Sequence, residues 1–438
     1  MTNQLSRIWR SYRSIPIIYR IATAFVLGSI VGLAVGKPAT ALQPLGDLFV
    51  RLLKMIVVPI VLFTLIMGAR KLSPGSVGKV GLQVIVLYLV TTAIAIAIGL
   101  GVTNLIDPGT GLEVANVDIQ TKNAPNMGET LMGIVPTNPI GAMAEGKVLG
   151  VIFFSLVFGI SLAMLQEEHE EGTAIRNGVE TIFDVVEAGA AALFKLVWGI
   201  MEFGVIGVFA LMASIFGKTG AEAIVPFAKL MASLALAIGI HITVVYLFVI
   251  IAGLVGGSPL SFLRGSKDAM VTALSIRSSG ATLPVTMSNA EENLKIDEEV
   301  YGFSLPLGAT INMDGTAMYQ GVAAVFAANL VGETLSLSQQ LVVIVTAVLA
   351  SVGAAALPGT GLIMMSLVLT QLGLPLEVVG MVAGVDPLLD RLRTMNNVTG
   401  DLAITALVAK WNDAIDLSSG VWTDSSTDQI SNALASDD

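Results

Sequence analysis

The run YGFSLPLGATINMDGTAMYQGVAAVFAANL, residues 301–330, decides how this chain is read. It is long and apolar enough to cross a bilayer, yet Asn312, Asp314 and Gly315 sit near its middle. An ionised Asp at the bilayer centre costs about 2.5–3.5 kcal/mol on insertion scales. Packing rarely demands that; an accompanying cation explains it, with the glycine letting the helix unwind so that carbonyls join the carboxylate.

The rest of the chain agrees with a membrane setting. Of 438 residues, 54% are hydrophobic and 13% charged, against roughly 25% charged in soluble domains. Apolar stretches recur at 15–36, 55–69, 82–106, 151–165 and 227–254, and about eight spans are expected. The opening MTNQLSRIWRSYRS is polar and leads into a full-length span, so no cleavable signal is read there. Arg7, Arg10, Arg13 and Arg20, then Arg70, Lys71 and Lys79, place the N-terminus and the second connection in the cytoplasm. The polar stretch 107–128 reads as an outside loop, and the acidic QEEHEEG at 166–172 falls inside only by count. With no cysteine, disulfides, thiol nucleophiles and Cys-bound zinc are excluded; the net charge of −10 without a basic cluster gives no sign of nucleic acid.

The halves differ. Up to about residue 256 the spans are rich in Gly and Ala, with Lys54 and Glu202 as the ionisable exceptions, read as snorkelling or bundle-facing. Beyond it, DAMVTALSIRSSGATLPVTMSNA (268–290) and LVVIVTAVLASVGAAALPGTGLIMM (341–365) each break at a Ser/Gly/Pro tip between arms of about a dozen residues. Both read as re-entrant hairpins. Each precedes a span with a polar interruption, NMDGT after the first and NNVTGD (396–401) after the second. A hairpin followed by a broken helix, occurring twice, is the pattern of an inverted repeat with a midplane site.

In the last span Asp386, Asp390, Arg393, Asn397 and Asp401 are spaced 4, 3, 4 and 4 residues apart, along one helical face. Arg393 offers a fork suited to a carboxylate, Asp390 an acceptor for an ammonium group; together they suit an acidic amino acid. Asn312, Asp314, Asn397 and Asp401 are oxygen-bearing groups of the kind that suits sodium. A self-contained Asp–Arg network is the bland alternative. An intramembrane aspartyl protease is disfavoured because its G-x-G-D motif is absent, and a serine hydrolase on Ser278 or Ser279 lacks a base. His169 lies in a loop, and His241, alone on an apolar span, reads as a packing residue. A passive anion channel stays open as an alternative.

RLLKMIVVPIV (51–61), GIVPTNPIGAMAEGKVLGVIFF (133–154), RSSGATLPVTM (277–287), LPLGATINMDGTAMYQ (305–320), ASVGAAALPGTG (350–361) and DRLRTMNNVTGDLAITALVAK (390–410) closely resemble the glutamate/aspartate:sodium symporters, the dicarboxylate/amino acid:cation symporter family. The pattern lies nearest the archaeal and bacterial aspartate transporters, with some animal-type features. The resemblance implies an all-α polytopic protein with eight spans and two hairpins, trimeric, working as an elevator in the cell membrane. Residues 1–76 and 130–220 (spans 1, 2, 4 and 5) would form the trimerisation scaffold. Residues 78–106 and 222–411 would form the transport domain: spans 3 and 6, hairpin 1 near 258–291, span 7 near 300–330, hairpin 2 near 335–373 and span 8 near 377–411. Residues 107–129 would form an extracellular loop and 412–438 an acidic polar tail.

The resemblance also assigns residues. The substrate side chain goes to Arg393 and its amino group to Asp390; Asn397, Ser278 and Ser279 take its backbone carboxylate, with Thr316, Thr394, Leu357 and Gly361 completing the pocket and Arg277 at its edge. One sodium falls to Gly308, Asn312, Asn397 and Asp401, a second to Thr310, Ser351, Val352 and Ala354 near Met313, and a third to Tyr88, Thr91, Thr92, Asn312 and Asp314. Sodium is co-transported and no organic cofactor is implied. Gln320 replaces a glutamate of the animal carriers. Arg277 and Arg391 are both present where members usually carry one or the other, and Ala356 stands where a glycine is general; these departures put coupling ion and stoichiometry in question. Proton-driven transport of dicarboxylates or acidic amino acids is the runner-up.

Overall fold

The computed structural model describes residues 12, 14–70, 74–110, 132–352 and 360–423. The chain is an all-α membrane protein: among the described residues there is no strand beyond one isolated bridge, Ile296 to Ile415. In a bilayer the backbone must satisfy its own polar groups, which leaves helices as the only way for these segments to cross.

Eight spans and two hairpins follow in order. Span 1 is Ile17–Val35, span 2 Gln43–Ala69, and span 3 Pro74–Ile106 with a kink at Gly78 (φ 49°). Span 4 joins a short helix, Pro139–Glu145, to Val148–Glu168. Span 5, Ala174–Thr219, is 46 residues long. Span 6 starts as Ile224–Ile240 and continues as a π-helix through His241–Val255. Four helical runs, 37–69, 78–106, 148–168 and 174–255, are long and apolar enough to cross by length and composition. Span 1 is a single helix of 19 residues, and the elements after span 6 come in pieces.

Hairpin 1 pairs Pro259–Ile276 with Ser279–Ser288, and hairpin 2 pairs Leu337–Val352 with Thr360–Leu372. The first arms, 18 and 16 residues, exceed the expected dozen. Span 7 breaks where expected: Glu298–Ile311 stops, Asn312 and Met313 leave helical geometry (ψ 80° and 46°), and Asp314–Leu330 resumes. Span 8 breaks elsewhere. Glu377–Ala383 ends, two residues turn, and Asp386–Trp411 runs without interruption through 396–401. Pro387 accounts for the shift, since it has no N–H and its ring crowds the carbonyl of Ala383 one turn back. Asn, Thr and Gly at 396–400 are tolerated because most of their polar groups are met: Asn397 bonds across to span 7 and Thr399 donates to the Met395 carbonyl at 2.7 Å, although Asn396 Nδ2 is buried without a partner among the described residues.

Packing is densest within two sets. Spans 1 and 2 lie along span 5, and span 2 also along span 4, while the second half of span 7 packs on span 3 and span 8 packs on hairpin 1, span 6 and both halves of span 7. Small residues permit the closeness: a Cβ on Gly32 would lie 2.6 Å from the Ala213 carbonyl oxygen, and one on Gly204 2.8 Å from the Phe49 ring. Glu202 faces the bundle and holds Arg20 of span 1 through two bonds, at 2.7 and 2.8 Å.

Candidate functional site

The site is where the break in span 7 meets span 8. Broken helix ends expose backbone donors, and here a side chain answers one of them: the Gly315 N–H donates to Asn397 Oδ1 at 2.7 Å. Gly315 is needed for the approach, because a Cβ there would lie 2.6 Å from the Arg393 carbonyl oxygen. Asn397 Nδ2 turns to Thr316 Oγ1 (3.4 Å) and Met313 Sδ (3.3 Å). Asn397 therefore pins the two spans together from inside.

Arg393, fully buried, is the centre of the polar stripe. Its Nη2 bonds Asp390 Oδ1 at 2.8 Å and pairs with Asp386 Oδ1 at 2.9 Å. Its guanidinium carbon lies 4.0 Å from the centroid of the Tyr319 ring, a cation–π contact. Nε and Nη1 are buried and find no partner among the described residues. Gly361 of hairpin 2 leaves room for Nη1, since a Cβ would come within 2.5 Å of it. Thr394, also buried, donates to the Asp390 carbonyl at 2.8 Å.

A second cluster lies deeper. Asn312 Nδ2 donates to Asp401 Oδ1 at 2.8 Å, while Asn312 Oδ1 is buried without a partner among the described residues. A Cβ on Gly308 would sit 2.5 Å from both Asp401 Oδ1 and the Tyr88 hydroxyl, so those three groups surround one spot. Asp314 is fully buried and accepts from Thr92 through one oxygen and from Tyr246 (2.6 Å) through the other. Thr91 donates to the Tyr88 carbonyl at 3.2 Å, the same carbonyl lies 2.7 Å from Thr92 Oγ1, and the Tyr88 hydroxyl donates to the Ser304 carbonyl at 3.1 Å.

His241 corrects its reading as a packing residue. Its Nδ1 lies 3.2 Å from Asn396 Oδ1 and its Nε2 4.0 Å from Asp314 Oδ2. It belongs, with Tyr246 and Tyr319, to the polar groups around the clusters that the sequence did not single out.

At the hairpin 1 tip Arg277 adopts left-handed geometry (φ 60°), and Ser278 caps the second arm by accepting from the Ala281 N–H at 3.1 Å. Ser279 opens that arm and is buried. The coexistence of two arginines has a structural answer: Arg391 donates to the Leu274 and Ser275 carbonyls (2.6 and 3.3 Å), closing the C-terminus of the first arm, and to Tyr19 of span 1 (3.1 Å). Arg277 instead joins Asp386 in lining a crevice of about 310 Å³ walled by Phe194, Val197, Trp198 and Met201 of span 5. Thr310, half-buried, donates to the Leu307 carbonyl at 3.0 Å; Ser351 and Val352 are buried at the end of the first arm of hairpin 2. Ala354, Ala356 and Leu357 lie outside the described residues.

A buried guanidinium with spare donors, carboxylates beside it and an oxygen-lined broken helix behind it equip a protein to hold a charged solute within a bilayer, and define a solute carrier. The sodium:dicarboxylate symporter family matches residues 17–411, and the chain belongs to that family. It is 33% identical over 417 residues to the proton/sodium-glutamate symport protein of Geobacillus stearothermophilus, covering 91% of this chain and 95% of that one. It is 33% identical to the proton/glutamate-aspartate symporter of Escherichia coli (86% of each chain), and 34% identical to the C4-dicarboxylate transport protein of Bacillus subtilis (91% and 94%). The chain is thus a membrane transporter, not an enzyme.

Proposed function

We propose that this protein carries acidic amino acids, L-aspartate or L-glutamate, together with sodium ions. The observation that carries the reading is the half-used guanidinium of Arg393 beside Asp390. Its free edge suits the substrate's side-chain carboxylate, and Asp390 suits its ammonium group. A C4-dicarboxylate has no ammonium group to offer, so Asp390 favours an amino acid. Relatives named for glutamate–aspartate symport and for C4-dicarboxylate transport make substrate class the point to test.

Sodium rather than a proton is read from the oxygen clusters at Gly308, Asn312, Asp401 and Tyr88, and at Thr91, Thr92 and Asp314, with a third position near Thr310, Met313, Ser351 and Val352. The two packing sets support a scaffold of spans 1, 2, 4 and 5 and a moving unit built from the rest, trimeric through the scaffold and multi-pass in the cell membrane with a cytoplasmic N-terminus. The crevice between span 5 and the residues Arg277 and Asp386 supports a seam between the two units. Proton coupling is the second reading, favoured by relatives named for it.

The test is uptake of labelled L-aspartate into liposomes holding the purified protein, driven separately by inward sodium and proton gradients. Uphill uptake with sodium alone is the expected result. Equal drive by protons overturns the ion assignment, and preference for succinate over aspartate overturns the substrate assignment.

A further inference from the structure

Span 8 does not lead directly into a free tail. The polar tail expected from residue 412 begins instead as a packed strap, residues 412–423, laid across the base of hairpin 1. The strap is anchored three times. First, its backbone pairs antiparallel with the link between hairpin 1 and span 7: the Asp297 N–H donates to the Ala414 carbonyl at 2.9 Å and the Asp416 N–H to the Lys295 carbonyl at 3.0 Å, flanking the Ile296–Ile415 bridge. Lys295 is left-handed (φ 54°) at this point, a conformation that such pairing holds in place. Second, Trp422 donates from Nε1 to the Leu294 carbonyl at 2.9 Å, and its ring covers Gly257, where a Cβ would meet it at 2.6 Å. Third, Val421 lies over Gly265 of the first arm, where a Cβ would stand 2.9 Å from it.

The anchors reach both roots of the hairpin. Gly257 precedes its first arm, and Leu294 to Asp297 follow its second. The strap itself is continuous with span 8, which carries Asp390, Arg393, Asn397 and Asp401. We propose that the strap welds hairpin 1 to span 8, making the hairpin a fixed wall of the substrate site, with Trp422 as its main positioning residue. This rests on the reading of Ser278 and Ser279 as substrate-facing. With the roots clamped, the tip cannot swing away from Asn397 and Arg393. With them released, the arms splay and solute passes along hairpin 1 without its coupled ion.

The absence of cysteine allows clean labelling. Nitroxides on V271C and L388C, both more than half exposed (52% and 57%), report the distance from hairpin 1 to span 8. Trp422→Ala is expected to broaden that distance distribution. Gly257→Val, which ejects the ring without truncating it, is expected to do the same and covers the case of a Trp422→Ala protein that fails to fold. In sodium-free vesicles preloaded with labelled aspartate and lacking any ion gradient, either variant is expected to leak about tenfold faster, as for an opening equilibrium that has lost one anchor.

A disulfide from I296C and I415C is expected to restore the slow leak to Trp422→Ala, and a reductant to remove the rescue. The two bonds flanking this pair make it the close kind, with Cα atoms about 4.5 Å apart, within disulfide reach. An unchanged distance distribution overturns the proposal, as does a broadened one with unchanged leak. Should the parent protein accumulate no aspartate under any gradient, the substrate reading fails, while the distance measurement still decides the strap.

Discussion

Two buried arginines teach different lessons. Arg20, between spans 1 and 5, engages each of its three nitrogens: Nη1 and Nη2 go to the two oxygens of Glu202 and Nε to the Ile15 carbonyl at 3.0 Å. Arg393, between spans 7 and 8, directs one nitrogen at two carboxylates and leaves Nε and Nη1 unmatched among the described residues. The first is a closed fork-to-fork pair, which holds helices together. The second is an incomplete one, whose remaining edge is the part proposed to meet the substrate. Counting intramembrane charges does not separate them; counting nitrogens left without a partner does.

The sharpest way to break the comparison is to truncate each arginine. Arg393→Ala is expected to lower acidic-substrate affinity by about 100-fold or more, in keeping with the few kcal/mol lost when one partner of a buried charged contact goes. Sodium binding, measured by calorimetry without substrate, is expected to survive. Unchanged aspartate affinity would remove Arg393 from the site. Arg20→Ala is expected to lower the thermal midpoint by several degrees while leaving aspartate affinity within about threefold, because it touches structure only.

Asp314→Asn sharpens the picture of the deeper cluster. The amide keeps a hydrogen-bonding shape but not the charge, so the sodium concentration for half-maximal uptake is expected to rise about tenfold, with aspartate affinity recovered at saturating sodium. Gly361→Ala probes the free edge directly. Its methyl group presses on Arg393 Nη1, and aspartate affinity is expected to fall about tenfold with little change in melting.

The smallest effect lies in the strap. Asp416 accepts from Ser418 and Ser419, which hold its carboxyl near 2, below the ordinary 3.8. A depressed carboxyl stabilises the fold fully above the unfolded value and less as pH falls toward the folded one. Hydrogen-exchange protection of the strap amides is therefore expected to weaken between about pH 4 and pH 2, and Asp416→Asn to remove that dependence.

Much of this was legible from residue types alone. A carboxylate, two amides and glycines inside apolar runs located the span 7 break, both hairpins and the stripe on span 8, because polar groups at membrane depth have few innocent explanations. The interruption in span 8 was misplaced for a physical reason: Asn, Thr and Gly weaken a helix by tenths of a kcal/mol, whereas Pro387 deletes a bond. His241 and Tyr246 stayed hidden because their stretch of span 6 is π-helical, and the wider winding defeats the 3.6-residue periodicity used to sort faces. The strap was illegible too, since its anchors are backbone bonds, one tryptophan on Gly257 and one valine on Gly265.

The glycines also distinguish one kind of contact from another. Between spans 1 and 5, Gly32 and Gly217 abut backbone, the Ala213 and Gly36 carbonyl oxygens at 2.6 Å from a would-be Cβ. Where the first piece of span 8 meets the other packing set, Gly380 and Gly384 face side chains instead, those of Leu211 and Phe25. Backbone set against backbone is a mortise, with nothing able to yield. A bare helix face under the tips of Leu and Phe would serve the proposed movement of one packing set past the other as a bearing, because resistance there is set by side-chain torsional barriers and not by dismantling a joint.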